Sequence, residues 1–333
     1  MFPRALRWRK TLRSWRRVVL VAALGGLALP GSGTGAAAEA GNRFLFGIEA
    51  LRVPGRDYYR PHDAFRTTQY DGRLFLTHLA DVPLDVAGIY GATAIIGITH
   101  WGWGNDGFHF HSEGWFGKHT GSGGIDKLGH AFTSALISDF LTDRIRMASS
   151  RPEGAAITAG LLSFGVMSAI EVFDGYASDH GFSYEDMIVD TAGILFSVAR
   201  NAIPGLREKI DFRQEYFPQA VDHGFHPFLA YEGKRFLLAL KLSGFDAFRD
   251  TPLRYVEIQA GYYARGFSTA ARRAGVRKRR VPFIGIGINL NELFLGPYER
   301  DEHTLKWGAR FALEHFQVPF NSLSTAPGYY RRR

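Results

Sequence analysis

The chain has 333 residues, 46% of them hydrophobic and 22% charged, which describes a chain that folds into one large domain or two ordinary ones. Its formal charge of +8 does not indicate nucleic acid as a partner. Seven basic residues (Arg4, Arg7, Arg9, Lys10, Arg13, Arg16, Arg17) and one acid, Glu39, lie within the first 40 residues, so the rest is close to neutral.

The basic start has the three parts of a secretory signal. A positive region ends at Arg17, an apolar stretch runs from Val18 to Leu29, and Pro30 leads into small residues ending Ala38-Glu39-Ala40. Cleavage is expected near Ala40, and the apolar stretch is short for a bilayer span. Arg16-Arg17 also faintly suggests twin-arginine export. With no cysteine, neither disulfides nor thiolate chemistry is available, nor an acylated cysteine as anchor.

Residues 41–81 are expected to form an N-terminal strand, over 43–53, and a connection that becomes helical after Tyr70. Val82 to Trp101 is apolar apart from Asp85, and its Gly88, Gly91 and Gly97 suggest close helix approach in a buried or membrane-contacting helix. Residues 101–124 form a connection rich in glycine, tryptophan and histidine, with Trp101, Trp103, His109, His111, Glu113, Trp115 and His119. Long connections of this kind often carry function.

Three helices follow: Ile125 to Met147, with Asp139, Asp143, Arg144 and Arg146 toward its end; Ala155 to Phe173; and Ser183 to Ala202, closed by Pro204-Gly205. The core domain is expected over 82–205 as a bundle of about four helices. After Pro218 the period becomes alternating. Phe236/Leu238/Leu240/Leu242, Val256/Ile258/Ala260/Tyr262 and Ile284/Ile286/Ile288/Leu290 each line one face of a strand, and 304–318 supplies a fourth. A basic loop, Arg272-Arg273 with Arg277-Lys278-Arg279-Arg280, joins the last two of the three. The expected fold class is α+β: a helical bundle core, then a C-terminal antiparallel β-meander over 206–333.

Chemistry concentrates in the three core helices. Asp126 and His130 are four apart and share a helical face, where a carboxylate can orient an imidazole for proton transfer or metal binding. Lys127 can reach an acid on a neighbouring helix. Glu171 and Asp174 end a hydrophobic helix, where the dipole disfavours negative charge and calls for cationic partners such as Lys127 and His130. Asp186 and Asp190 are again four apart, with Gly193 on the same side. Ser183 with Asp186 resembles a capping box, so capping explains Ser183 as well as chemistry does.

Asp190 lies too deep for capping. A buried ion-pair network locking three helices accounts for the cluster, and so does a ligand or acid/base site. Histidines 109 and 111 alternate, with Glu113 following, so a metal site with His119 or His130 is compatible with the spacing, as is plain exposure. A divalent metal fits these donors, but no cofactor is specified.

The motifs Gly124-Ile125-Asp126-Lys127-Leu128-Gly129-His130, Glu171-Val172-Phe173-Asp174 and Ser183-Tyr184-Glu185-Asp186, with Asp190 and Gly193, resemble the YfiM-type family of predicted periplasmic lipoproteins of unknown function. A fainter likeness is to VanZ-like membrane proteins, where Asp190 would correspond to asparagine. The resemblance covers about residues 82–205, with Phe108–Phe116 and the late strand at 282–294 also fitting the YfiM-type family. It implies an envelope location and a helical core, without an activity.

Together these readings describe an exported protein of the periplasm or outer membrane, whose partner is a membrane surface or lipid headgroups and whose protein partners are not indicated. Four or five strands fall short of the eight of the smallest membrane barrels. The alternative is an envelope enzyme acting on lipid or cell-wall material. His130 would be its base and Asp126 the orienting group, while Glu171, Asp174, Asp186 and Asp190 would bind a cation or headgroup.

Overall fold

The computed structural model describes residues 70–220, 230–297, 304–326 and 328–330. The leader, its cleavage site and the strand expected over 43–53 lie outside the described residues.

Asp71 caps the first helix, α1 (Gly72–Asp81), by accepting from the Leu74 amide at 2.9 Å. Pro83, with no amide hydrogen to lose, starts α2 (Pro83–His100) at 78° to α1. Three longer helices follow and pack on one another: α3 (Ile125–Ala148), α4 (Ala155–Asp174) and α5 (Tyr184–Ala202).

Gly124 precedes α3 with φ of 85°, and a Cβ there would lie 2.2 Å from the Phe116 ring, so the turn admits only glycine. Gly193 on α5 serves a different need. A Cβ at this position would sit 2.0 Å from the Ala131 carbonyl oxygen of α3, so its absence lets the two backbones meet.

Two apolar clusters hold the helices together. One joins Val82, Leu141, Ile145 and Ala159; the other joins Trp103, Val166, Met167 and Ile170. On α2 only Gly97 is at a close contact, beneath the Trp103 ring, whereas a Cβ at Gly88 or Gly91 would meet nothing within 4 Å. The glycine-mediated packing expected along α2 is therefore corrected to a single point.

The second half is a six-stranded sheet in the order β5-β1-β2-β3-β4-β6. Its strands are β1 (Ile210–Tyr216), β2 (Lys234–Lys241), β3 (Val256–Arg265), β4 (Arg279–Ile288), β5 (Phe316–Gln317) and β6 (Ser322–Ser324). The four central strands form an antiparallel meander, but β5 runs parallel to β1, so the sheet is mixed. Two further expectations are corrected. Strand β1 begins at Ile210, before Pro218, because Asp211, Arg213 and Glu215 alternate inward as buried charges rather than apolar residues. Residues Thr304–His315 are a helix, α6, whose Trp307, Phe311 and His315 repeat every four residues; only Phe316–Gln317 is strand.

Sheet and helices meet through aromatic rings. Phe132 of α3 packs on Phe212, Phe236 and Phe316 at centroid separations of 5.6–5.8 Å. Beyond that contact the sheet's polarity is reversed. Asp211, Glu215, Arg235, Glu257 and Gln259 on one face are fully buried, while Ile284, Ile286 and Leu323 on the other are 65%, 61% and 86% exposed.

The buried charged face joins a network reaching α3, α5 and α6. Arg200 pairs with Asp139 and Asp211 at 2.8 Å and Glu314 at 2.9 Å. Arg207 reaches Asp143 and Glu314. Arg213 holds Asp211 and Glu257, Lys241 holds Asp211 at 2.6 Å, and His315 meets Asp139 at 2.9 Å.

Candidate functional site

The polar centre forms where the N-terminal turns of α3 and α5 meet the C-terminal end of α4. Ser183 caps α5, accepting from the Asp186 amide at 3.3 Å and donating to Glu185 at 3.1 Å. That cap sets Asp186 and Asp190 on the face turned to α3. Lys127 donates to both oxygens of Asp186 at 2.8 and 2.9 Å, to Asp126 at 3.0 Å and to Glu113 at 2.8 Å. Burial would lower the Lys127 pKa, but these three acids outweigh it and raise it.

His130 lies one turn further along α3, with its side chain 18% exposed. Its Nδ1 is 3.4 Å from Asp190 Oδ1 and 3.6 Å from Glu171 Oε1, and its Nε2 is 3.9 Å from Asp186. These are electrostatic contacts, too long for good hydrogen bonds. His130 Nδ1, Glu171 Oε1 and both carboxylate oxygens of Asp190 are buried without a hydrogen-bond partner. The other Glu171 oxygen is occupied, accepting from the Ser183 amide at 3.2 Å.

The electrostatics follow from burial among like charges. Burial, with Asp186, Asp174 and Asp190 nearby, pushes Glu171 up to about 9 despite His130. Burial likewise raises Asp190. Burial alone would lower His130, yet the Asp190 carboxylate and the charges of Asp126 and Asp186 hold it well above its ordinary value. Burial and Asp126 push Glu113 up to about 8. Burial opposes ionisation of Asp126, but His130, Lys127 and the Tyr231 hydroxyl keep its carboxyl below the usual range. The Tyr231 hydroxyl donates to Asp126 at 2.6 Å.

The structure thus brings together Asp126, Lys127, His130, Glu171, Asp186 and Asp190. Asp174 is set aside, accepting from the Trp103 indole at 2.6 Å. Glu113 leaves the histidines it follows in sequence and turns to Lys127. His109 Nδ1 lies 3.1 Å from the Gly107 carbonyl, and His111 and His119 are exposed. Among the described residues, the ligand atoms that fall within 4.8 Å of one another form two groups, Asp126/His130/Asp186 and His130/Glu171/Asp190; neither contains His109 or His111.

Sequence reasoning does not reach Tyr231, Lys234 or Glu185. Lys234 is buried, pushed down to about 8 by desolvation, with its Nζ 4.5 Å from the centre of the Tyr231 ring. Glu185 is fully buried and accepts from Ser112. No spacing rule links Tyr231 or Lys234 to a helix more than 100 residues earlier. For Glu185, its place beside the cap is the available signal.

No curated protein and no solved structure matches the chain. Residues 112–202, which hold α3 to α5 and the whole acid-rich centre apart from Tyr231 and Lys234, match the family model described as predicted periplasmic lipoprotein (DUF2279), a match that supports an exported, periplasmic protein and assigns no activity.

Proposed function

We propose that the protein is an envelope component seated against the outer membrane by its apolar exterior, with the acid-rich centre as its ligand-binding site. The observation that carries this is the reversed polarity of the sheet, with charges buried and isoleucines in contact with solvent. In water, a contiguous apolar patch of that kind is uncommon; strands facing lipid alternate apolar-out and polar-in. The helices add to it. Ile157, Leu161 and Phe164 make one exposed stripe on α4, and Tyr184, Ile188 and Leu195 make another on α5.

Ala155–Asp174 is long and apolar enough to cross a membrane, but about half of its apolar window is buried within the protein, which suits a core helix with one lipid-facing edge. An apolar cavity of about 310 Å³ opens between α3, α5 and the sheet, lined by Leu128, Ala131, Phe196, Phe212, Phe236 and Leu238. Its size is that of a small ligand site, and its lining suits a hydrocarbon chain. Leu128 and Ala131 flank His130 in sequence. Arg273 and Arg277 are exposed on the β3–β4 connection and Arg280 at the start of β4, where anionic headgroups would meet them.

A second reading is favoured by the partial exposure of His130 among buried acids: an enzyme acting on lipid or cell-wall material with His130 as base and Asp126 orienting it. Membrane seating is tested with the purified mature chain and vesicles containing anionic phospholipid. The wild type should float with the vesicles, and Ile284→Asn with Ile286→Asn should reduce flotation without changing the melting temperature by more than a few degrees. A wild type that stays wholly in the soluble fraction would sink the proposal.

A further inference from the structure

We infer that His130, Glu171 and Asp190 form a binding site for a divalent transition-metal ion, of the zinc or manganese kind, at the meeting point of α3, α4 and α5. This goes beyond the membrane reading and does not depend on it. Four buried atoms without hydrogen bonds converge here: His130 Nδ1, Glu171 Oε1 and the two carboxylate oxygens of Asp190. Native proteins rarely leave such atoms unpaired, because each forfeits its hydration with nothing in return. Asp190 and Glu171 are among the most deeply buried residues of the chain.

The spacing fits an ion better than a hydrogen bond. Bonds of about 2.0–2.2 Å arranged tetrahedrally put neighbouring donor atoms about 3.3–3.6 Å apart. The His130–Asp190 and His130–Glu171 separations are 3.4 and 3.6 Å. One imidazole nitrogen with carboxylate oxygens is a mixed donor set that suits zinc or manganese better than calcium or magnesium, which favour oxygen alone. Three protein donors leave a fourth position of a tetrahedral shell for water or a ligand.

The surrounding residues have the form of an outer shell. The far nitrogen of His130 faces Asp186, as metal-bound histidines commonly face a carboxylate. Lys127 engages both oxygens of Asp186 and one of Asp126, so these acids are already partnered and positioned. Lys127 makes no ion pair with Glu171 or Asp190 among the described residues, and the second glutamate oxygen is held by Ser183, which directs Oε1 inward. The bland competitor is an imidazolium lying between two carboxylates with no ion.

The test is metal content and thermal stability of the mature protein purified without chelator. The expected result is close to one zinc or manganese per chain by elemental analysis, a melting temperature lowered by chelator and restored by the metal, and at least tenfold weaker rebinding in Asp190→Asn and Glu171→Gln. A His109→Ala, His111→Ala double variant should rebind normally. If Asp190→Asn does not fold, the chelator and readdition cycle on the wild type, with the histidine double variant, still decides. The inference is overturned if the wild type neither retains nor rebinds a transition metal, if only calcium or magnesium binds, or if binding disappears with His109 and His111.

Discussion

Two clusters of buried charge divide this molecule, and they are built on opposite principles. Beneath the sheet, Asp139, Asp143, Asp211, Glu257 and Glu314 face Arg200, Arg207, Arg213, Lys241 and His315, so acids and cations are matched and at hydrogen-bonding distance. Around the helix ends, Glu113, Asp126, Glu171, Asp186 and Asp190 share Lys127 and His130. The first cluster ties α3, α5 and α6 to the sheet. In the first, Glu257 and Glu314 leave one oxygen unpaired but hold an arginine with the other, whereas in the second both oxygens of Asp190 and the facing atoms of His130 and Glu171 are unpaired. The contrast separates a clasp from a site, since matched ions specify an arrangement while uncompensated ones invite a ligand.

The sharpest way to break the comparison is to remove a cation from the matched cluster. Arg200→Ala removes the buried cation that Asp139, Asp211 and Glu314 share and should destabilise by about 3–5 kcal/mol, read by chemical denaturation. Next is the seam of the other cluster. Gly193→Ala forces a methyl onto the Ala131 carbonyl and should cost about 1–3 kcal/mol, as overpacking does. A Gly193→Ala variant as stable as the wild type would mean that α3 and α5 separate freely.

Acid should act on the matched cluster. Arg200 and His315 beside Asp139, Arg207 beside Asp143, and Lys241 with Arg213 beside Asp211 overcome burial and hold these carboxyls below their ordinary values. A depressed folded pKa gives stability that is fully present above the unfolded value, about 3.9, and is lost as pH falls through the folded value. The melting temperature should therefore stay level on this account down to about pH 5 and fall increasingly below pH 4. Glu171, Glu113 and Asp190, whose pKa values are raised, add stability as pH falls toward 5, so the clasp is contradicted by a profile that keeps rising below pH 4.

The smallest effect should come from the acid-rich centre. With metal removed, Asp190→Asn relieves a buried acid near Glu171 and Asp186 and should leave stability unchanged or raise it by up to about 1 kcal/mol. A loss as large as that of Arg200→Ala would make the two clusters alike and reduce the centre to a second clasp.

Much of the helical half is legible because its signals are local. Asp126 and His130 four apart, Ser183 before an acidic first turn and Pro204-Gly205 at a stop depend on helix geometry alone, and the structure has α3, α4 and α5 within a residue or two of the expected limits. Strand β1 escapes such a reading because Asp211, Arg213 and Glu215 look solvent-facing, although all three are buried. Helix α6 reads as a strand only if the four-residue repeat of Trp307, Phe311 and His315 is overlooked.

By itself the sequence determined a chain of α+β class, the ionisable residues carried by α3, α4 and α5, and which strand residues share a face, and it pointed to export. Tertiary structure alone decided that the isoleucine face points outward and the charged face inward, that Glu113 turns to Lys127 and Tyr231 to Asp126, and that Arg200 meets acids from three elements. The physical reason is range. Periodicity reports what one element's neighbours share, whereas burial and pairing depend on which distant element, or which solvent, covers each face.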